Sequence, residues 1–200
     1  MEIYTLITSM CSTNTYVLIS DGQAIAVDPG DGATEICEFI KSKNAILKYI
    51  LITHAHFDHI GAVSELQKTG ASVYISQTDY EHVYVNEQFG DFAHVQPFEA
   101  DVFIKEGDKF ELCGHKFEVI ETPGHTAGGV CYIMDDSTIF SGDTLFRSSV
   151  GRTDLPFGDY AAIIKSIKKL FALPHDYEVL PGHSQRTTLD FERRNNPYVR

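Results

Sequence analysis

The stretch Thr53-His54-Ala55-His56-Phe57-Asp58-His59-Ile60-Gly61 constrains this chain more than any other. It follows directly on LKYILIT (47–53), a β-rich apolar run of the kind that forms a buried strand. Extended backbone puts side chains at i, i+2 and i+4 on one side. His54, His56 and Asp58 are therefore expected to converge just beyond a sheet edge. His59 then opens the following helix and turns to a different side. Four ligand-type residues packed this tightly can face two neighbouring metal positions, and imidazole with carboxylate suits zinc, iron or manganese. A helix N-cap role would account for Asp58 alone, but not for three histidines beside it.

Three further loops share this character. Each sets a ligand-type residue in a glycine-containing turn after an expected strand: His125 in TPGHT after KFEVIE, Asp143 in SGDT after STIF, and His183 in LPGHS after YEV. Alone, a His or Asp in such a turn is usually solvated. Together with His54, His56 and His59 of the first stretch, these loops put five of the nine histidines at strand ends, where sites are commonly built. The other four, His82, His94, His115 and His175, show no such pattern and are read as non-ligands.

Strands are expected at 2–8, 15–20, 23–27, 47–53, 72–76, 109–111, 116–121, 129–134, 137–141 and 177–180. Helices are expected at 31–43, 60–69, 77–85, 160–171 and 188–196, with a loop over 86–100. There is no repeat or linker-like stretch, so one α/β domain over 1–200 is the simplest account. Two sheets back to back with helices outside, a four-layer αββα sandwich, accommodate this grouping.

Composition narrows the function classes. A formal net charge of −12 repels phosphate backbones, which argues against a nucleic-acid partner. No apolar run approaches the roughly 20 residues that span a bilayer. The N-terminus lacks a positively charged leader region and reads as strands. A cytoplasmic protein with a small-molecule substrate and no membrane partner is the expectation. The sequence carries no signal for oligomeric state. Cys11, Cys37, Cys113 and Cys131 form no CxxC pair and are expected to be free thiols, largely buried.

In their order, HAHFDH (54–59), PGH (123–125), GD (142–143) and PGH (181–183) resemble the motifs of the metallo-β-lactamase superfamily. VDPG (27–30) resembles its early Asp motif, and Asn14-Thr15-Tyr16 sits where members often have N-x-Y. The resemblance covers nearly the whole chain. It implies the αββα sandwich, with metals at one edge between the sheets. Within the superfamily the chain is most similar to the glyoxalase II (hydroxyacylglutathione hydrolase) group. FSGDTLF (140–146), GRTDLPFGD (151–159) and the closing ERRNNPYV are like those of its short, single-domain bacterial members.

That resemblance implies two divalent ions, zinc first, with iron or manganese as alternatives. It implies that His54, His56 and His125 hold one, that Asp58, His59 and His183 hold the other, and that Asp143 bridges them. The implied reaction is hydrolysis of a hydroxyacyl thioester such as S-lactoylglutathione by a metal-bridging hydroxide, with Asp58 also orienting the nucleophile. Asp28 is expected either to fix a ligand histidine from behind or merely to shape the DPG turn. Arg152 is expected either to bind a substrate carboxylate or to fix its loop through Asp154 or Asp159. Phe57, Phe146, Leu155, Phe157 and the 86–100 loop are candidates for the pocket wall or the core.

Other readings remain. A persulfide dioxygenase would use one iron held by two His and one Asp. A lactone or other ester hydrolase, and a non-catalytic metal module, are further alternatives. Lactam-cleaving members typically carry a Cys where Asp143 stands, and flavodiiron proteins a Glu where His56 stands. Nucleic-acid-processing members carry an additional inserted domain, for which this chain leaves no room. The chain ends at Arg200, so the C-terminal helical domain that supplies much of the glutathione site in full-length glyoxalase II is expected to be missing.

Overall fold

A computed structural model describes residues 1–83 and 95–199. Along the chain run β1 (Glu2–Thr8), β2 (Thr13–Ser20), β3 (Gln23–Val27), α1 (Ala33–Ser42), β4 (Ile46–Leu51), α2 (Phe57–Ile60), α3 (Val63–Gln67), β5 (Ser72–Ser76) and α4 (Gln77–His82). Then come β6 (Val102–Ile104), β7 (Lys109–Leu112), β8 (His115–Glu121), β9 (Val130–Met134), β10 (Thr138–Gly142), β11 (Leu145–Phe146), β12 (Ser149–Val150), α5 (Tyr160–Phe171), β13 (Glu178–Pro181), β14 (Thr187–Thr188) and α6 (Leu189–Asn195).

Alternation along the strands sorts the apolar residues into three cores. Tyr16, Leu18, Phe117, Val119, Tyr132 and Phe140 meet in the middle, between two six-stranded sheets. The sheet orders are β1-β2-β3-β4-β5-β6 and β14-β13-β10-β9-β8-β7. One residue along, Val17, Ala26 and Ile50 face the other way, against Ile36 and Ile40 of α1 and Leu66 of α3. On the far side Cys131, Ile133 and Val179 pack against Ile163, Ile167 and Leu170 of α5. Each fully buried Leu, Ile or Phe contributes about 1.5–3 kcal/mol, and a strand buried on both faces reads as the unbroken apolar run seen in β9. The result is the four-layer αββα sandwich.

Strand direction places the loops. β3 and β4 run parallel, so their carboxyl ends share one edge of the first sheet. β10 runs parallel to β13, and β8 runs the same way because β9 is antiparallel to both β8 and β10. The two edges are tied across the sandwich. Val130 N–H donates to Thr53 O (2.9 Å), Asn14 N–H to Gly182 O (2.7 Å), and Tyr132 Oη to Ile52 O (2.8 Å).

Some elements differ from expectation. The helix expected at 60–69 is two short ones, α2 and α3. Gly61 sits against the DPG turn so closely that a Cβ there would fall 2.3 Å from Gly30 O, and the chain bends at this point. Asp58 and His59 therefore lie within a helical turn, and the extended run from His54 ends at His56. The short strands β6, β11, β12 and β14 carry too few residues to show a period. Of the helix expected at 77–85, the described part is α4. Residues 84–85, the 86–94 part of the expected loop and His94 lie outside the described residues. All four cysteines are free thiols, but only Cys131 is buried; Cys37 and Cys113 are half-buried and Cys11 is exposed, because the turn that carries it hangs off the sheet edge. Among the described residues no helix is long and apolar enough to cross a membrane.

Candidate metal centre

All the ligand loops emerge from the tied edge. After β4 the backbone stays extended to His56 (φ −70°, ψ 145°) and then coils into α2, whose single turn aims Asp58 and His59. The loop after β8 brings His125, the end of β10 brings Asp143, and the end of β13 brings His183. Among the described residues His54 groups with His56 and His125, and Asp58 with His59 and His183, while a third group, Asp28 with His54 and His59, overlaps both. Within each group the candidate ligand atoms lie within 4.8 Å of one another. Asp143 stands between them. Its Oδ1 is 3.4 Å from His59 Nε2, and its Oδ2 is 3.4 Å from His125 Nε2 and 3.5 Å from His183 Nε2. The residues singled out as ligands in the sequence thus meet at one place.

Hydrogen bonds fix the imidazole tautomers. His125 Nδ1 lies 2.7 Å from Arg152 O, a carbonyl that can only accept, so Nδ1 carries the hydrogen. His59 Nδ1 lies 3.0 Å from Asp28 Oδ2 and donates likewise. Thr53 Oγ1 gives its hydrogen to Asp28 Oδ2 (2.6 Å) and so accepts from His54 Nδ1 at 3.1 Å. In His54 and His125 Nε2 is left as a lone pair aimed into the cluster, and in His59 it becomes one when the ring is neutral. A ligand histidine held from behind by an oxygen has this arrangement.

The cluster also leaves buried polar atoms unsatisfied. Among the described residues His54 Nε2, His125 Nε2 and Asp143 Oδ1 are buried without a hydrogen-bond partner. Such orphans are rare in folded proteins, and these three belong to residues of one cluster. Burial, reinforced by neighbouring imidazoles, lowers His54 well below the ordinary histidine range and lowers His56 to about 3. Around the second group the carboxylates win. Burial opposes charge on His183, but Asp143 and Asp58 raise it to about 9. Burial likewise opposes charge on His59, yet Asp143 and Asp28 raise it well above the usual value. Burial alone would raise Asp58, but His183 and His59 pull it down to about 2. Asp143, against its burial, is held well below the carboxylate range by His59 and His183. Neutral imidazole lone pairs on one side and paired carboxylates on the other make a donor set suited to divalent cations.

The Asp28 carboxylate reaches Thr53 and His59. It is buried, its backbone is left-handed (φ 49°), and it accepts from Thr53 N (2.7 Å) as well as from His59. Arg152 divides in two. Its carbonyl orients His125, while its guanidinium makes a bidentate pair with Asp154 (2.7 Å for both bonds). The N-x-Y pattern has a local reason. Asn14 Nδ2 donates to Pro181 O (2.9 Å) and Ser184 O (3.0 Å), and Tyr16 Oη donates to Pro181 O (2.7 Å), which fixes the turn that carries His183. Phe146 presents its ring to His183 at 6.1 Å between centroids, and Phe157 stacks on His82 at 4.0 Å.

Sequence reasoning missed Thr13, which donates to Asp58 Oδ2 (3.0 Å), and Asp79, buried against both histidine loops. The available signal for Asp79 was Ser76 three positions earlier, the pattern of a helix N-cap.

An αββα sandwich with a histidine–aspartate cluster at the edge between its sheets defines a metal-dependent enzyme class. The chain belongs to the metallo-beta-lactamase superfamily, whose family model matches residues 9–183. It is 35% identical to hydroxyacylglutathione hydrolase GloC of Haemophilus influenzae over 185 residues, covering 88% of this chain and 87% of that protein. Its structure is similar to the BLEG-1 B3 metallo-beta-lactamase, with TM-score 0.91, 32% identity and 99% of each chain covered. It is also similar to TTHA1623 in a di-iron-bound form, with TM-score 0.86, 35% identity, and 98% of this chain and 100% of the other covered.

Proposed function

We propose that this metallo-hydrolase cleaves a hydroxyacyl thioester of the S-lactoylglutathione type at a two-ion centre. The observation that carries the reading is Asp143 standing between two complete triads, within 3.5 Å of histidine nitrogens from both. The likeness to a hydroxyacylglutathione hydrolase over most of both chains supports the substrate class. In this reading His54, His56 and His125 hold the first divalent ion, Asp58, His59 and His183 the second, and Asp143 touches both. The orphaned buried atoms and fixed tautomers fit that role. Zinc is the first choice by ligand type, and the di-iron form of a relative supports iron as the alternative.

Divalent ions held by these residues would supply Lewis acidity, acidifying a bound water and polarising an acyl carbonyl. The protein's own groups do the rest. Asp58 is kept ionised by His183 and His59 and is oriented by Thr13 Oγ1 at 3.0 Å. It therefore accepts a hydrogen bond from the nucleophilic water and aims its lone pair at the carbonyl carbon. Asp28, Thr53 and the Arg152 carbonyl keep three imidazoles from turning. Phe146 walls one side of the centre. The leaving group is a thiolate, stable enough to depart without a strong general acid.

The test is a substrate panel on one preparation whose metal content has been measured: a hydroxyacyl thioester, a lactone, a β-lactam, and glutathione persulfide with an oxygen electrode. The expected result is about two ions per chain and thioester hydrolysis with kcat/KM at least about 100-fold above the other hydrolytic substrates, a gap of about 2.7 kcal/mol in transition-state stabilisation. Oxygen uptake by a one-iron protein would replace the hydrolase with a persulfide dioxygenase.

A further inference from the structure

Asp79 is only 1% exposed, and its carboxylate reaches both chain segments that carry the first triad. Ala55 N–H, from the residue between His54 and His56, donates to Oδ2 at 2.9 Å. Thr126 Oγ1, next to His125, donates to the same oxygen at 2.9 Å. Gly128 N–H donates to Oδ1 at 2.7 Å. One carboxylate therefore grips the loop after β4 in one sheet and the loop after β8 in the other.

The surroundings are built for this grip. Ser76 Oγ accepts from Asp79 N–H (3.2 Å) and donates to Gly128 O (2.6 Å), so the start of α4 is fastened to the 126–128 turn at two points. A Cβ on Gly128 would lie 2.5 Å from Asp79 N and 2.7 Å from its Oδ1, so a side chain there would force the two apart. Burying a carboxylate is costly unless its oxygens are fully bonded. Here both oxygens are bonded, and two of the three donors are backbone N–H groups whose positions set the histidine loops.

Asp28 makes the matching contact on the other side. It bonds His59 of the second triad directly, bonds Thr53, which in turn bonds His54, and lies within 4.8 Å of a His54 ring nitrogen. We propose that Asp79 is the positioning residue of the three-histidine site, holding His54 and His56 in register with His125 across the two sheets. In this assignment two separate buried carboxylates preorganise the two halves of the centre. The proposal rests on the two-ion reading above, and it acts on metal affinity rather than on any particular substrate.

The experiment is metal binding to the purified full chain, by chelator competition and by the visible spectrum of the Co²⁺ form. Asp79→Asn replaces one acceptor oxygen with an NH2 that faces N–H donors. Thr126→Val removes one bond, keeps the volume and serves as the milder variant. Both are also made in a His183→Ala background, which leaves the three-histidine site as the intact one. Asp79→Asn is expected to weaken that site by about 10–100-fold, as loss of an outer partner typically does, and to shift its Co²⁺ bands. Thr126→Val is expected to fall between Asp79→Asn and wild type. In the His183 background the loss should persist at full size, and in the otherwise wild-type protein Asp28→Asn should weaken the second site more than the first. Unchanged affinity at the three-histidine site in Asp79→Asn overturns the proposal. So does equal weakening of both sites by Asp79→Asn with Thr126→Val unaffected, which would make Asp79 a general packing element. A wild-type protein that binds a single ion at the three-histidine site overturns the two-ion reading and leaves the Asp79 comparison intact.

Discussion

Gly182 and Asp143 approach so closely that a Cβ on Gly182 would lie 2.2 Å from Asp143 Oδ1. The same Cβ would come 2.6 Å from His59 Cε1, so neither neighbour can yield without moving a proposed ligand. The glycine of the second PGH turn is thus required by the carboxylate opposite it. Gly182→Ala should displace Asp143 and lower kcat/KM about 100-fold, the scale expected for a misplacement near 1 Å. Steady-state kinetics with metal analysis checks this, and wild-type kinetics in Gly182→Ala would refute the close fit.

Removing Asp143 itself should be more severe. Asp143→Ala takes away a carboxylate within 3.5 Å of histidine nitrogens from both triads and leaves His59 and His183 with Asp58 alone of the two carboxylates they share. The variant should keep at most one ion per chain and lose nearly all turnover. Elemental analysis that finds two ions retained would contradict the bridging role.

Protonation should oppose metal uptake in a defined window. Without metal, His183 is raised from the ordinary 6.5 to about 9, against its burial, by Asp143 and Asp58. Its charge therefore stabilises the metal-free fold fully below about 6.5, and that contribution is lost as pH rises through about 9. His59 shifts in the same direction. Metal binding needs both rings neutral and so should release protons at pH 7 and few above pH 10. Calorimetry in buffers of different ionisation enthalpy measures the release. The metal-free Tm should decline between pH 6.5 and 9 more than that of the loaded protein. No proton release at pH 7 would count against this assignment.

Two arginines near the mouth should behave differently. Arg152 spends its exposed guanidinium on Asp154, a pair that solvent screens. Arg147 lies over the Phe191 ring at 5.2 Å, bonds Gln185 Oε1 at 3.4 Å, and has no carboxylate partner among the described residues. It sits beside Phe146, which faces His183. Arg147→Ala should raise KM several-fold for a thioester that bears a carboxylate and leave KM for an uncharged thioester unchanged. Equal effects on both substrates would exclude a charge-recognition role.

The metal loops were legible in the sequence because metal ligation restricts residue type and the chain punctuates it locally. HAHFDH, the two PGH turns and GD each follow an apolar run and carry His or Asp beside a glycine or a helix start. The three cores were partly legible, since runs such as VCYIM announce strands buried on both faces. The helix expected over 60–69 was misjudged because at its start Ala62 N–H donates to Pro29 O and Gly61 packs against Gly30, contacts with no trace in local period. The burial of the cysteines was overestimated, because exposure at Cys11 depends on where a turn hangs relative to a sheet edge.

By itself the sequence determined which histidines and aspartates would stand at strand ends as candidate ligands, because residue type and the two-residue period are local properties. The tertiary structure decided which ligands share a site, which nitrogen of His54, His59 and His125 faces it, and that Asp28 and Asp79 stand behind it. Those outcomes are contacts between segments far apart in the chain, such as Asp79 with Thr126 and Asp28 with His59, and only packing two sheets face to face brings their polar atoms within hydrogen-bonding distance.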